Sequence, residues 1–364
     1  MSVTMIFSIV SVLIFIVGLF FAINNFVKKR REEAVSGLLI TMGIELIFGS
    51  FGTFDDKLFA FLSNQQVDTN YLQLITGFIL LIGGIYFHFY IKNKMYILNI
   101  NGYFDKRIEH HQNDLNLSPF EFKEKEIDFI RLYRKGINEA IAQEIQEELS
   151  DKIEAFKVES RDKKRAYTGI APIPFIMLAG KFFERHVLDE YFEYNKLNDV
   201  YYELTNCKTG WTSRPYPQLV QNPPLDSLGG TQEEEIVIAV SVTSQITDED
   251  TAQFSCPKIY LSLPQPMDYA IKYKEQLKDY CNAVYMVLMD TQQAYPNIKK
   301  IHLLYSGQSC LAFELGKLMD DNRMVQIISY QYDRQRTIKY PWGIVLNGTQ
   351  KGSLVTRDTF LVSA

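Results

Sequence analysis

The sequence predicts a membrane-spanning helical region of about three spans, followed by a layered α/β domain on a largely parallel sheet. Three observations predict it. Apolar residues make up 47% of the 364-residue chain, and its long uncharged runs all lie N-terminal to Lys92. Basic residues then flank those runs on alternate sides, the pattern of a multi-pass protein. Downstream, short apolar strands alternate with helical patterns, which implies helices layered on a sheet.

The first run, Met5 to Val27, carries no charge. Its core of about 20 residues would extend about 30 Å as a helix, which matches a hydrocarbon core. No basic segment precedes it and no small-x-small site follows, which argues against a cleaved signal peptide. A second run spans Tyr71 to Ile91, with Tyr71, Tyr86 and Tyr90 placed as interfacial aromatics. Between them lies Ala34 to Phe51, with Glu45 near its centre. An ionised carboxylate there costs about 3 kcal/mol on insertion scales. Topology favours this segment as a span all the same. Lys28, Lys29, Arg30 and Arg31 follow the first run, and Lys92 and Lys94 follow the last. The loop from Gly52 to Asn70 sets Asp55, Asp56 and Asp68 against Lys57. Spans at 5–26, 34–51 and 71–91 put both basic clusters in the cytoplasm, with the N-terminus outside and the C-terminal domain inside. Glu45 is then either a neutral or snorkelling bundle residue, or a polar contact between protomers or a pore-lining group.

Charge and cysteine usage exclude several classes. The formal net charge is −5, so no global basic field argues for long nucleic acid. Cys207, Cys256, Cys281 and Cys310 form no CxxC pair, so neither a disulfide framework nor a zinc knuckle is signalled. Four scattered thiols suit a reducing compartment. The five histidines form no HExxH motif and no metal constellation. His110-His111 reads as surface, and His302 as a core residue of its strand.

Residues 93–160 read as a connector. Met95–Ile100 and Tyr103–Glu109 flank Asn101-Gly102, the preferred pair for a hairpin turn. Ser118-Pro119-Phe120-Glu121 has the form of a helix start. Ile137, Ile141, Ile145 and Leu149 form the apolar stripe of an amphipathic helix. From 161 to 364 the pattern is that of the main domain. Pro172–Phe183 reads as a short apolar helix, and Val187–Tyr194 and Val200–Leu204 as strands. Residues 214–230 are rich in Pro and Gly and read as a long loop. Strands are expected at Ile236–Val242, Ile259–Leu263, Ile301–Tyr305, Val325–Tyr330 and Gly343–Leu346. Helices are expected at Asp268–Asp290 and Cys310–Met319.

In such sheets ligands bind beyond the carboxyl ends of the strands. The turn Ser306-Gly307-Gln308-Ser309 sits between a buried strand and a helix start, where free N–H groups suit phosphate. An ordinary helix cap has the same local pattern. Gly307-Gln308-Ser309-Cys310-Leu311 also matches a nucleophile elbow in part, with Leu311 where glycine is required, so a membrane-anchored serine hydrolase using Ser309 is one alternative. A ligand-independent membrane scaffold is another. No Walker-type phosphate loop occurs. The lack of catalytic machinery favours a non-enzymatic binding module that acts on the membrane segment.

The run Ile301–Asp333, with its small-residue turn, its Glu314-Leu315-Gly316 motif and its Tyr-containing strand, resembles the C-terminal signature of SAVED domains. Thr168–Gly180 resembles the N-terminal motif of the same family, and Ile236–Val242 with its trailing Ser/Thr its central strand. The resemblance covers about Lys164 to the C-terminus. It implies two fused CARF-like, Rossmann-type halves that bind a cyclic oligonucleotide second messenger, a cyclic di- or trinucleotide made by a nucleotide cyclase in CBASS anti-phage signalling. With transmembrane helices in front, the chain resembles the TM-SAVED effectors, which implies ligand-induced homo-oligomerisation and disruption of the bacterial inner membrane. The expected ligand-binding residues are Ser306, Gly307, Gln308 and Ser309, with Ser241, Thr243 and Ser244 as a second donor set. Trp211, Tyr305 and Tyr330 are candidate base platforms, and Lys208, Arg214 and Lys317 candidate cations.

Overall fold

The computed structural model describes residues 3–27, 31–50, 70–117, 121–196, 198–209, 212–213, 215–224 and 232–356. The chain divides into two compact units, Met1–Lys94 and Met95–Ala364.

The first unit contains α1 (Val3–Val27), α2 (Arg31–Gly49) and α3 (Tyr71–Asn93). Asn70 caps α3, its side chain accepting from Gln73 N at 3.2 Å. Small residues let α2 and α3 approach closely. A Cβ on Gly43 would lie 2.5 Å from the backbone nitrogen of Leu81, and one on Gly77 2.8 Å from that of Ile47. Apolar side chains of α3 such as Leu72 and Ile79 point outward, 77% and 65% exposed. Among the described residues one helix, Tyr71–Ile91 within α3, is long and apolar enough to cross a membrane, and Phe15–Val27 of α1 is a shorter apolar stretch. Glu45 lies on α2 and is half-buried. Lys28–Arg30, Phe51 and the acidic loop up to residue 69 lie outside the described residues.

The second unit is an internal repeat. Its first half runs β1 (Met95–Asn101), β2 (Phe122–Asp128), α4 (Glu139–Glu159), β3 (Lys164–Ile170), α5 (Ile173–Phe183), β4 (Glu190–Asn195) and β5 (Val200–Glu203). Its second half begins with an edge strand β6 (Val220–Asn222). It continues through β7 (Glu235–Ser241), β8 (Lys258–Ser262), α6 (Lys274–Ala294), β9 (Lys300–Ser306), α7 (Ser309–Leu318), β10 (Gln326–Gln331), β11 (Trp342–Val345) and β12 (Leu354–Thr356). The sheet orders are β2-β1-β3-β4-β5 and β12-β11-β10-β9-β7-β8-β6. Strand for strand, β1 to β5 correspond to β7, β8, β9, β10 and β11. In both halves the first four strands pair in parallel and the last pairs antiparallel. The crossover helices α4 and α6 are each 21 residues long.

The register extends the correspondence to single residues. Lys164 is the counterpart of Lys300 and Ile173 that of Ser309. Ala166 pairs with Glu190 and His302 with Ile328, which makes Glu193 the counterpart of Gln331.

The short helices α5 and α7 lie against each other in the centre of the unit. Seven consecutive residues of α5, Pro174 to Gly180, are buried, which explains an apolar composition all round the helix. The helices touch at two glycines. A Cβ on Gly180 would lie 2.0 Å from the carbonyl oxygen of Phe313, and one on Gly316 1.9 Å from that of Met177. Gly180 and Gly316 are counterparts, as are Met177 and Phe313, so the crossing has an approximate two-fold axis. One continuous apolar core joins the two halves through these helices.

Several expectations are corrected. No hairpin forms at Asn101-Gly102. β1 pairs in parallel with both β2 and β3, so residues 95–128 supply strands of the first sheet rather than a connector packed on the main domain. Asn101 ends β1 and donates to Glu126 Oε1 at 2.9 Å. Gly102 is required for close packing instead: a Cβ there would lie 2.7–2.8 Å from Phe129, Ala171 and Pro172. The helix expected from Ser118 is replaced after Glu121 by strand β2, and Ser118–Phe120 lie outside the described residues. α6 begins at Lys274, six residues later than the pattern suggested. The Pro/Gly-rich stretch contains β6. The amphipathic helix forms as expected. Ile141, Ile145 and Leu149 are buried on α4 together with Ala142, Ile153 and Phe156, and Asn138 caps it.

Candidate functional site

A cavity of about 370 Å³ opens at the carboxyl ends of β1, β3, β4, β7 and β9. That size suits a small molecule. Its walls come from both halves by the same repeat logic. After β1, Gly102 N and Tyr103 N donate to Ile170 O. After β7, Val242 N and Thr243 N donate to Ser306 O. Tyr103 and Thr243 therefore face the cavity from equivalent turns, as do Ile173 and Ser309 at the two helix starts.

The turn Ser306–Ser309 lies at the cavity, and its polar side chains are already engaged. Ser306 Oγ accepts from Ser244 N at 3.1 Å and lies 3.3 Å from Thr243 Oγ1. Gln308 is held on both ends of its amide: Nε2 donates to Tyr202 Oη at 2.6 Å and Ile271 O at 3.0 Å, and Oε1 accepts from Ile271 N at 2.6 Å. Tyr305 Oη donates to Gln308 O at 2.7 Å, beneath Gly307, where a Cβ would lie 2.2 Å from the same hydroxyl. Ser241 Oγ accepts from Ile246 N and is fully buried.

The start of α7 is not open to an anion. Glu193, at the end of β4, reaches across from the first half. Its Oε1 accepts from Cys310 N at 2.6 Å and from Ser309 Oγ at 3.1 Å. Burial pushes the Glu193 carboxyl up from the ordinary carboxylate range, against the opposing pull of those hydrogen bonds. The counterpart contact exists on the other side. Gln331 Oε1 accepts from Ile173 N at 3.1 Å, at the start of α5. Each half thus caps the helix of the other, once with a carboxyl and once with an amide.

The expected site residues divide accordingly. Thr243, Gly307, Gln308 and Ser309 line the cavity, and Ser306 and Ser244 hold the turns beside it. Tyr305 and Tyr330 are 4% and 1% exposed and present no face for stacking. Tyr330 Oη lies 3.0 Å from Nδ1 of His302, which is itself buried as expected of a core residue. Lys317 sits eight residues along α7 from Ser309, about 12 Å along the helix axis. It pairs with Glu314 at 2.8 Å and lies over the Phe183 ring, away from the cavity. Lys208 belongs to the two-residue strand Lys208–Thr209, and Trp211 and Arg214 lie outside the described residues. Ser309 Oγ donates its hydrogen bond to Glu193 Oε1, and no histidine lines the cavity among the described residues. The nucleophile arrangement expected of a serine hydrolase is not assembled there.

Residues missed from sequence are Tyr103, Glu193, Tyr194, Asn195, Lys196, Tyr202, Asp268 and Tyr269, all on the cavity wall. Glu193 to Lys196 end a strand that was legible, so the strand-end rule could have found them. Tyr269 has φ +62°, a conformation costly for a non-glycine residue, and packs edge-on against Tyr202 at 5.3 Å. Nothing in its local pattern announces this.

Fold and cavity define an α/β domain of two repeated halves that share one cavity. The model of the SAVED family, described as a SMODS-associated sensor domain fused to various effectors, matches residues 142–346, and the chain belongs to that family. A comparison with curated proteins finds no match. Among solved structures, the Acinetobacter baumannii Cap4 SAVED/CARF-domain receptor with the cyclic trinucleotide 2'3'3'-cAAA is 13% identical, with TM-score 0.49 over 86% of this chain and 65% of that one. The same receptor with 3'3'3'-cAAA is 14% identical, with TM-score 0.46 over 89% of this chain and 64% of that one. The Moraxella osloensis Cap4 receptor is 14% identical, with TM-score 0.42 over 88% and 74%. The chain spans about two thirds of the length of the Acinetobacter receptor.

Proposed function

We propose that this protein is a non-enzymatic, membrane-spanning effector of anti-phage defence, of the TM-SAVED type, that senses a cyclic oligonucleotide. The observation that carries this reading is the shared cavity at the carboxyl ends of both parallel sheets, in a chain of a sensor-domain family. Tyr103, Tyr194, Tyr202 and Tyr269 on its wall offer ring faces and edges to bases, a sequence-tolerant source of affinity. Lys196 supplies a cation at the same wall. The direct test is thermal denaturation of the full chain in detergent against a panel of cyclic di- and trinucleotides. A ligand at 100 times its Kd stabilises by about 2.7 kcal/mol. For a unit of this size that is a rise of roughly 5–10 °C. If no member of the panel shifts the transition, the sensing reading is wrong.

The N-terminal unit is the output. Three spans, N-terminus outside and the C-terminal domain in the cytoplasm, place each basic cluster on the cytoplasmic side of the inner membrane. The outward apolar side chains of α3 favour lipid over water as their surroundings. Ligand binding drives homo-oligomerisation, and the assembled spans breach the bilayer. To move the resting and assembled states from about 1:99 to 99:1, the ligand must supply about 5.5 kcal/mol of differential affinity. Vesicles of bacterial lipid carrying the protein are expected to release trapped dye only after the messenger is added. Glu45→Leu is expected to insert as well or better and to leak less. Unchanged leakage would remove Glu45 from the mechanism.

A further inference from the structure

The two helix starts at the cavity are related by the repeat and differ in charge. Gln331 closes the start of α5 with a neutral amide, and Glu193 closes the start of α7 with a carboxyl that is 6% exposed and also lines the cavity. The hydrogen bonds from Cys310 N and Ser309 Oγ both use Oε1. Asp268 adds a second acid to the wall, against one ammonium, that of Lys196, among the described residues. A phosphate brought to the α7 side would meet an acid where the backbone geometry alone offers donors. A neutral group bearing N–H or O–H donors meets an acceptor already fixed in place.

We propose that Glu193 is the specificity-determining residue of the cavity: its Oε2 accepts a hydrogen bond from a donor of a nucleoside unit, and the ring phosphates are held away from α7. This rests on the cyclic-oligonucleotide reading and sharpens it. It reverses the expectation that the Ser306–Ser309 turn cradles phosphate. The donor is an exocyclic base amine or a ribose 2′-hydroxyl, two sources of one chemistry.

The test uses the full chain in detergent and three probes: cyclic tri-adenylate, its analogue with hypoxanthine for adenine, and its 2′-deoxy analogue. Measured above the folded-state pKa of Glu193, where Oε2 is ionised and accepts, a hydrogen bond to this charged acceptor is worth about tenfold or more in affinity. Wild type is therefore expected to bind cyclic tri-adenylate at least about tenfold tighter than the hypoxanthine ring if the amine is the donor, or than the 2′-deoxy ring if the hydroxyl is. Glu193→Gln keeps an oxygen for Cys310 N and Ser309 Oγ and turns an amide N–H to the cavity, so the preference should vanish, or reverse toward the 6-oxo base. Glu193→Asp, which withdraws the carboxyl by one methylene, is expected to shrink the same ratio and serves if the glutamine variant does not fold. Wild type binding all three probes alike, or a ratio that survives in both variants, overturns the assignment while leaving cyclic-oligonucleotide sensing intact. No binding of any cyclic oligonucleotide overturns both.

Discussion

Gly180→Ala and Gly316→Ala are each expected to destabilise the second unit by about 3 kcal/mol or more, at the upper end of the range for overpacking. The reason is that the obstacle is backbone. The added methyl would sit 2.0 Å from Phe313 O in one case and 1.9 Å from Met177 O in the other. A carbonyl in a helix cannot turn aside as a side chain would. Relief requires α5 and α7 to separate, and these helices join the cores of both halves. Thermal denaturation should show a fall of roughly 6–12 °C for each, at about 2–4 °C per kcal/mol for a protein of this size. Gly83→Ala is the control, because a Cβ there meets nothing within 4 Å. If either central variant melts with wild type, the helices do not cross at these residues.

The second large effect is expected at Glu193. Glu193→Ala leaves the buried Cys310 N without its acceptor, at a cost of about 1–3 kcal/mol, and frees Ser309 Oγ at the cavity wall. Glu193→Gln should recover most of the loss, since an amide oxygen accepts the same two bonds. The two variants also separate by pH. Burial raises the folded-state pKa of Glu193, so the native protein holds that proton at pH values where the unfolded chain, with a pKa of about 4.3, has released it. The stabilisation from this proton is complete below the unfolded value and is lost as pH rises through the folded one. Glu193→Gln should therefore gain stability relative to wild type across that window, read from urea midpoints at a series of pH values. A constant difference would mean that Glu193 is already ionised throughout.

Much of the fold was legible because it rests on local pattern. The buried strand β7 is a continuous apolar run, β9 is one broken only by His302, and the stripe of α4 has helical spacing. The two halves were implied by the family resemblance, but the repeat was not legible in the residues themselves, because counterparts at the site are chemically unlike: Glu193 with Gln331, Tyr103 with Thr243. One faint signal existed. Gly180-Lys181 and Gly316-Lys317 stand at equivalent places in α5 and α7. The false hairpin arose from a dipeptide whose glycine answers to a packing contact rather than a turn. At the site, the Ser306–Ser309 turn was found from the strand-to-helix pattern. Its occupant was not, because Glu193 arrives from more than a hundred residues upstream, and only the register of β4 on β3 brings it there.

The reciprocal capping has a consequence for the geometry of the ligand. A site assembled from two identical chains must offer every group twice, and so suits a molecule with its own two-fold axis. Joining both copies in one chain lifts that requirement. One copy can carry an acid where the other carries an amide, and the pair still closes around a common centre. Covalent linkage of the halves permits a lopsided receptor for a lopsided guest.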